Sequence, residues 1–282
     1  MPRIDLPTLL MVSTALFGLM AVMFLITWRQ DRRANGAMLY WAGSHLLGAP
    51  ACVLLALRGE ISGFLSIGVA NTLVLAAFGT LLAGALAFEG RRFRLPAVLA
   101  APTIWVAAIQ SPAVWGSFPA RVIVISALIS LLLAASAVVI WRGQKRESLP
   151  TRPIVAVLLG FLAAAHLLRP ILTVGTPALE DLTTLGSRWI AFIGLQILLQ
   201  EVVLGYALLS MVKERGEARQ RAAAEIDSLT RALTRRAFFD RATARLAADP
   251  SRGAVLIFDL DRFKSINDTH GHLVGDRVLA DF

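Results

Sequence analysis

The chain has 282 residues, 56% hydrophobic and 17% charged, with a mean hydropathy of +0.66. Soluble domains carry about a quarter charged residues, so this composition excludes a purely soluble enzyme and assigns most of the chain to lipid. Of the +9 net charge, residues 1–212 contribute 15 Lys/Arg against 8 Asp/Glu and the remainder 13 against 11; an excess held in the apolar part speaks for membrane topology and against nucleic acid as a partner.

Seven apolar segments read as membrane spans, at 8–28, 37–57, 65–88, 95–110, 119–141, 153–175 and 188–212. Most reach the roughly 20 residues that a bilayer needs; the fourth is short and contains Pro102. The first is no cleaved signal peptide, because its apolar run exceeds an h-region and its basic residues lie on the far side. Arg29, Arg32 and Arg33 follow the first span, and Arg91, Arg92 and Arg94 the third. Arg142, Lys145, Arg146 and Arg152 follow the fifth, and Lys213, Arg215, Arg219 and Arg221 the seventh. The alternate loops hold only Arg58, Arg121 and Arg188, beside Glu60, Glu180 and Asp181. The positive-inside rule then predicts an N-terminus outside and a C-terminus in the cytoplasm.

Trp28, Trp41, Trp115, Trp141 and Trp189 fall near span ends and read as an aromatic belt. The single cysteine, Cys52, allows no intrachain disulfide and reads as a small buried hydrophobe. Seven polar side chains fall within spans: His45, Asn71, His166, Arg169, Gln196, Gln200 and Glu201. Ionisable groups in lipid are costly and mark functional positions by default. They read as a sensory pocket, as mutual pairs, as haem ligation by the two histidines, or as interhelical hydrogen bonding that fixes the bundle. No spacing among them matches a metal motif, and no internal repeat suggests a transporter's inverted halves.

The seventh span has no stop signal. Leu208, Met211, Val212, Ala218, Ala222, Ile226 and Leu229 form a loose stripe, interrupted by Arg215 and Gly216. The pattern predicts one helix leaving the membrane and running to about residue 228, as a weak coiled-coil seam or a solvated linker. A second helix is expected at 235–248, ending at the turn signal Asp249–Pro250–Ser251–Arg252–Gly253. A strand at 254–259 follows, then a helical stretch through Lys264 and Ile266, a turn at His270–Gly271 and a helix from about Val274.

The chemistry lies in residues 259–276. Alternate side chains of a strand share a face, so Asp259 and Asp261 can both point toward a cation, whose oxygen preference suits Mg²⁺ with a phosphate-bearing partner. Lys264 is close enough in sequence to meet a phosphate, and Asn267 and Asp276 offer the amide and carboxylate that read a base edge. The same residue types also suit a surface strand ending in a polar turn, with Asp and Asn as caps.

This stretch, D-x-D-x-F-K-x-x-N-D-x-x-G-H-x-x-G-D, resembles the first half of a GGDEF domain, the diguanylate cyclase family. A second block, Asp227-Ser228-Leu229-Thr230-Arg231-Ala232-Leu233-Thr234-Arg235-Arg236, is similar to that family's D-x-L-T-G-x-x-N-R-R segment. There Arg231 replaces the usual glycine and Thr234 the usual asparagine. The two blocks cover about the last fifth of the chain. The Gly-Gly-Asp/Glu-Glu-Phe loop is not among the 282 residues, and the sequence stops at Phe282 inside an expected helix. The expectation is therefore a fragment or truncated product, inactive by itself.

The apolar runs and periodicity give a membrane domain of about seven helices at 1–212 and a connector helix at 213–228, and the resemblance implies the start of an α/β, nucleotide-cyclase-like domain at 229–282. It implies an enzyme that joins two GTP molecules into cyclic di-GMP with release of pyrophosphate. Asp259 by its side chain and Leu260 by its carbonyl would hold Mg²⁺ or Mn²⁺. Lys264 would assist catalysis and, with the backbone near Phe263, bind phosphates; Asn267 and Asp276 would hydrogen-bond guanine. Asp268 and His272 match the pattern but suit the turn, and Asp261 suits the fold. The partners implied are GTP, membrane lipid and a second copy through the connector helix and GGDEF domain, with no nucleic acid. The location implied is the bacterial inner membrane, with the C-terminal domain in the cytoplasm. A receptor for GTP or cyclic di-GMP with a degenerate domain, and a membrane sensor with a non-catalytic output domain, are the alternatives.

Overall fold

The computed structural model describes residues 6–30, 36–91, 95–174, 187–223, 225–249 and 253–282. Arg32, Arg33, Arg92, Arg94, Glu180, Asp181 and the turn residues 250–252, all used above, lie outside them, as do the side chains of Arg188, Trp189 and Ala222. The chain divides into two compact units, Met1–Glu214 and Arg215–Phe282.

The first unit is a helical bundle. Its helices are α1 (Leu6–Gln30), α2 (Gly36–Ala56), α3 (Ala70–Phe88), α4 (Leu95–Ala108), α5 (Pro112–Trp115), α6 (Phe118–Gly143), α7 (Thr151–Val174) and α8 (Ser187–Ala223). A π-helical turn, Phe64–Val69, leads into α3. In lipid every backbone polar group must be satisfied within the segment, which continuous helices of Leu, Ala, Val and Ile achieve. Side chains such as Leu131, Phe161, Ile171 and Tyr206 point outward, each more than 60% exposed, as lipid-facing residues do.

Interhelical contacts fix which end of each helix lies where. Ser44 on α2 donates its hydroxyl to the Ala77 carbonyl on α3 at 2.8 Å, and Trp41 Nε1 donates to the Leu81 carbonyl at 3.2 Å. On α6 and α7, Ser130 donates to the Ala163 carbonyl at 2.8 Å. Such hydroxyl–carbonyl bonds, with glycines that let backbones approach, hold helices together where lipid offers no hydrophobic drive. At one end of the bundle Arg152 meets Glu89, and the Thr151 amide and hydroxyl both donate to Glu214 Oε2 at 3.0 and 2.5 Å. At the other end lie Arg58, Gly63, Trp115 and Arg121, with Gly63 facing the Trp115 ring.

This register settles the path of the short α4. A Cβ at Gly79 would press on the Val98 backbone, Trp105 donates to the Gly68 carbonyl at 3.2 Å, and Trp115 sits by Gly63. Residues 98–115 therefore run antiparallel to the N-terminal half of α3 and the turn before it, from Gly79 toward the Arg58 end. Among the described residues six helices are long and apolar enough to cross a membrane by length and composition, with Val98–Ala108 a shorter apolar helix; Pro102 lies within α4.

Two expectations change. Trp41 is wholly buried and bonded to α3, so it is a core residue rather than part of an aromatic belt; Trp115 and Trp141 are exposed. The helix leaving the membrane ends at Ala223, short of residue 228. At 37 residues and about 1.5 Å per residue, α8 spans roughly 55 Å, well beyond a hydrocarbon core of about 30 Å.

The second unit holds the end of α8, a turn at 225–234, α9 (Arg235–Ala248), α10 (Phe263–His270) and α11 (His272–Asp281). The strand expected at 254–259 is not formed among the described residues: the only bridges are Arg58–Ile61 and Ile226–Leu233. A strand is defined by ladder bonds to a neighbour, and Val255, Leu256, Ile257 and Phe258 meet none. They are 70%, 75%, 91% and 73% exposed. The α/β start thus lacks its β element here.

Candidate functional site

The turn at 225–234 is built around one carboxylate. Asp227 Oδ1 accepts from the Leu229 amide at 3.0 Å, the Thr230 amide at 2.9 Å and the Thr230 hydroxyl at 3.1 Å. This is the Asx arrangement that competes with helix, and it is why α8 stops where it does. Backbone bonds from the Asp227 amide to the Ala232 carbonyl and from the Thr234 amide to the Glu225 carbonyl close the loop. Thr230, through its amide and hydroxyl, and then the Leu229 amide hold the Asp227 carboxyl below its ordinary value. Arg231 sits at φ 60° in the left-handed region, where glycine is favoured; this accounts physically for the glycine usual at that position. Arg241 from α9 pairs with Glu225 at 2.6 Å.

The residues singled out for chemistry cluster on α10, α11 and the segment before them. Asp259, Asp261, Lys264, Asp268, His272 and Asp276 are exposed, and Leu260, Phe263 and Asn267 are half-buried. The Leu260 carbonyl accepts from the Phe263 amide at 3.4 Å, and Arg262, at φ 57°, turns the chain into α10. Phe263 and Lys264 open that helix, where the helix dipole favours an anion.

Gly271, at φ 81°, joins the two helices. Its amide donates to the Asn267 carbonyl at 2.9 Å, and its own carbonyl accepts from Val274 at 3.1 Å and Gly275 at 3.3 Å. A single residue thus ends α10 and starts α11. The result is a close approach: a Cβ built on Gly275 would collide with the Asn267 side-chain amide. Gly275 is the buried residue of α11, so Asn267 lies against the turn that carries Asp276. The structure thus sets the Asn267 side chain against Gly275, the residue before Asp276. Sequence reasoning passed over Gly275 as a site residue, although the spacing G-H-x-x-G-D signalled it. Asp259 and the Leu260 carbonyl supply oxygen donors, and among the described residues no group of three or more His, Cys, Asp or Glu could hold a metal ion.

The seven polar groups within the spans also converge. His45, Asn71, His166, Arg169, Gln196, Gln200 and Glu201 all line one cavity of about 220 Å³ in the bundle. His45 Nδ1 lies 2.6 Å from the Trp41 carbonyl, and His45 Nε2 lies 2.8 Å from Glu201 Oε1. Both ring nitrogens therefore face protein oxygens at close range rather than open cavity. Cys52 is buried in the same wall.

Residues 224–282 match the family described as diguanylate cyclase, GGDEF domain. Probable diguanylate cyclase DgcI of Escherichia coli (strain K12) is 49% identical over 55 residues, 19% of this chain and 12% of that protein. Diguanylate cyclase TpbB of Pseudomonas aeruginosa (strain UCBPP-PA14) is 50% identical over 58 residues, 19% of this chain and 13% of that protein. Cyclic di-GMP phosphodiesterase PdeR of Escherichia coli (strain K12) is 39% identical over 70 residues, 24% of this chain and 11% of that protein. The chain thus spans about an eighth of the length of these relatives. No solved structure matches.

Proposed function

We propose, from the GGDEF-family membership of residues 224–282, that this protein is a membrane-anchored, signal-regulated contributor to cyclic di-GMP synthesis, in which two GTP molecules are joined with release of pyrophosphate. The observation that carries the reading is the α10–α11 junction, where the Asn267 amide is pressed onto Gly275 beside Asp276. In this reading Asp276 accepts from the ring N–H and amino group of guanine, and Asn267 completes the recognition. Lys264 and the backbone at Phe263 receive phosphates at the start of α10, and Lys264 offsets charge that builds on phosphoryl oxygens.

Asp259 and the Leu260 carbonyl would hold Mg²⁺ or Mn²⁺. Two oxygens fit Mg²⁺, which binds through one or two carboxylates, substrate phosphates and retained waters. When bound, such an ion stabilises phosphoryl charge in the transition state. Asp261, Asp268 and His272 act in the turn and fold.

The described basic residues Arg29 in α1, Arg142 in α6 and Lys213 in α8, with Arg91, Lys145 and Arg146 just after α3 and α6, lie toward the Arg152 end of the bundle. That end is assigned to the cytoplasm of a bacterial inner membrane, with the N-terminus outside, by the positive-inside rule. The domain organisation follows as membrane unit, connector helix and GGDEF segment. A product made from two nucleotides suits two copies facing each other, with α8 raising their effective concentration.

The second reading is a domain that binds GTP or cyclic di-GMP without turnover. To separate the two, residues 224–282 replace the corresponding segment of an active diguanylate cyclase. Synthesis within about ten-fold of the parent, 1.4 kcal/mol of barrier, supports the catalytic reading. A folded transplant that binds GTP and makes no product supports the receptor.

A further inference from the structure

α8 is the helix that runs on from the membrane unit, to Ala223. Where it leaves, one carboxylate ties it to α7. Glu214 Oε2 accepts from the Thr151 amide at 3.0 Å and from the Thr151 hydroxyl at 2.5 Å. Thr151 is the first residue of α7, where backbone amides have no acceptor within their own helix. A side chain of α8 therefore caps α7, and the α7 dipole favours its negative charge. The next residue, Arg152, pairs with Glu89 after α3 and with Glu147 before α7, and reaches the Ile140 carbonyl of α6 at 3.5 Å. The ends of α3, α6 and α7 gather on Arg152, and α8 joins them through Thr151.

Upstream of Glu214 the hold on α8 is of another kind. Leu208, Met211 and Val212 are buried, and Gly205 faces the end of the Met20 side chain, a flexible group. Apolar burial is non-directional, so it resists separation of the helices more than sliding or turning. Further back, Gln196, Gln200, Glu201 and Leu204 line the cavity of about 220 Å³, where α8 borders open space instead of close-packed side chains. Glu201 meets His45 there at 2.8 Å, a directional contact deep in the bundle and far from the exit. We infer that the Glu214–Thr151 cap is a releasable strap that fixes the register of α8 where it leaves the membrane unit, so that a change at the α7 terminus becomes a displacement of the connector. Glu214 is thus a positioning residue. Its regulatory sense rests on the signal-regulated reading proposed above; the strap itself does not. The test reads helix position instead of cyclase activity, so either reading can fail alone.

The test uses the 282-residue chain in nanodiscs, with Cys52→Ala and spin labels at Leu131→Cys on α6 and Arg219→Cys on α8, both exposed positions. Pulsed electron–electron double resonance reads the distance between them, and the parent should give one narrow distribution. Glu214→Ala removes the acceptor. Thr151→Pro removes both donors, and proline suits the first turn of a helix. Each should broaden the distribution and displace its mean by about 2 Å or more, the scale of helix shifts in switching proteins. The double variant should match either single one, because a shared contact is lost only once. Arg152→Met weakens the same end of the bundle through Glu89 and Glu147; it should lower the unfolding midpoint and keep the parent distance, which separates position from stability. The parent distance in both Glu214→Ala and Thr151→Pro, additive displacement in the double variant, or an equal displacement in Arg152→Met overturns the inference.

Discussion

Replacing Arg152 by Met tests what holds the end of the bundle from which α8 continues. Arg152 is wholly buried, pairs with Glu89, donates to Glu147 at 2.9 Å, and stacks 5.5 Å from the centre of the Phe88 ring. Met keeps the volume and the apolar stem, so the loss is electrostatic. Glu147 is one-third exposed and contributes about 1 kcal/mol or less after screening. Glu89 is 6% exposed, and removing the cation from a buried carboxylate costs about 3–5 kcal/mol; the stacking adds roughly 1 kcal/mol. The expected loss is therefore about 4–7 kcal/mol, dominated by Glu89. The assay is equilibrium unfolding of the membrane-reconstituted chain for Arg152→Met, Glu89→Gln and the pair. The double variant should recover at least half of the single loss, because a neutral Gln no longer needs the cation. Additive losses, or a single loss under about 1 kcal/mol, would refute the assignment of this energy to one buried pair.

Gly275→Ala places a methyl where the Asn267 amide sits; it should cost about 1–3 kcal/mol by overpacking, with much of the loss restored by adding Asn267→Ala in the same thermal melt. Acid should open the 225–234 turn. The Asp227 carboxyl is depressed below its ordinary 3.8, so its contribution is present above that value and fades as pH falls through the lower folded one. The Leu229 and Thr230 amide resonances report this, and unchanged shifts down to that range would contradict it. Reporter fusions should be active in the cytoplasm at the C-terminus and outside at the N-terminus; both ends on one side would remove a pass, α4 being the first to reconsider.

How far the sequence foretold the molecule depended on whether the deciding interactions were local. Spans and the helix at 235–248 follow from apolar runs and turn residues, and their helices appear where periodicity placed them. Asp227 and Gly271 are local switches of backbone direction, legible as residue types, although the helix end at Ala223 needed the Asx bonds to be seen. The strand at 254–259 depended on a pairing partner, which no local pattern supplies. Trp41 and the cavity were decided by which helices become neighbours. Each of the seven in-span polar groups was visible singly, but their convergence belongs to packing. Gly275 had its motif spacing, yet only the approach of Asn267 shows why a side chain is excluded there.

The central claim is that Asp259 serves the metal and Asp276 the base. Steady-state kinetics of the 224–282 transplant tests it most directly, at saturating Mg²⁺. Asp259→Asn keeps size and removes the charge, so kcat should fall by about 100-fold or more at unchanged protein level. Asp276→Ala should instead raise KM for GTP, because donors on guanine lose their acceptor. Near-normal kcat in Asp259→Asn, or an unchanged KM in Asp276→Ala, would contradict the account.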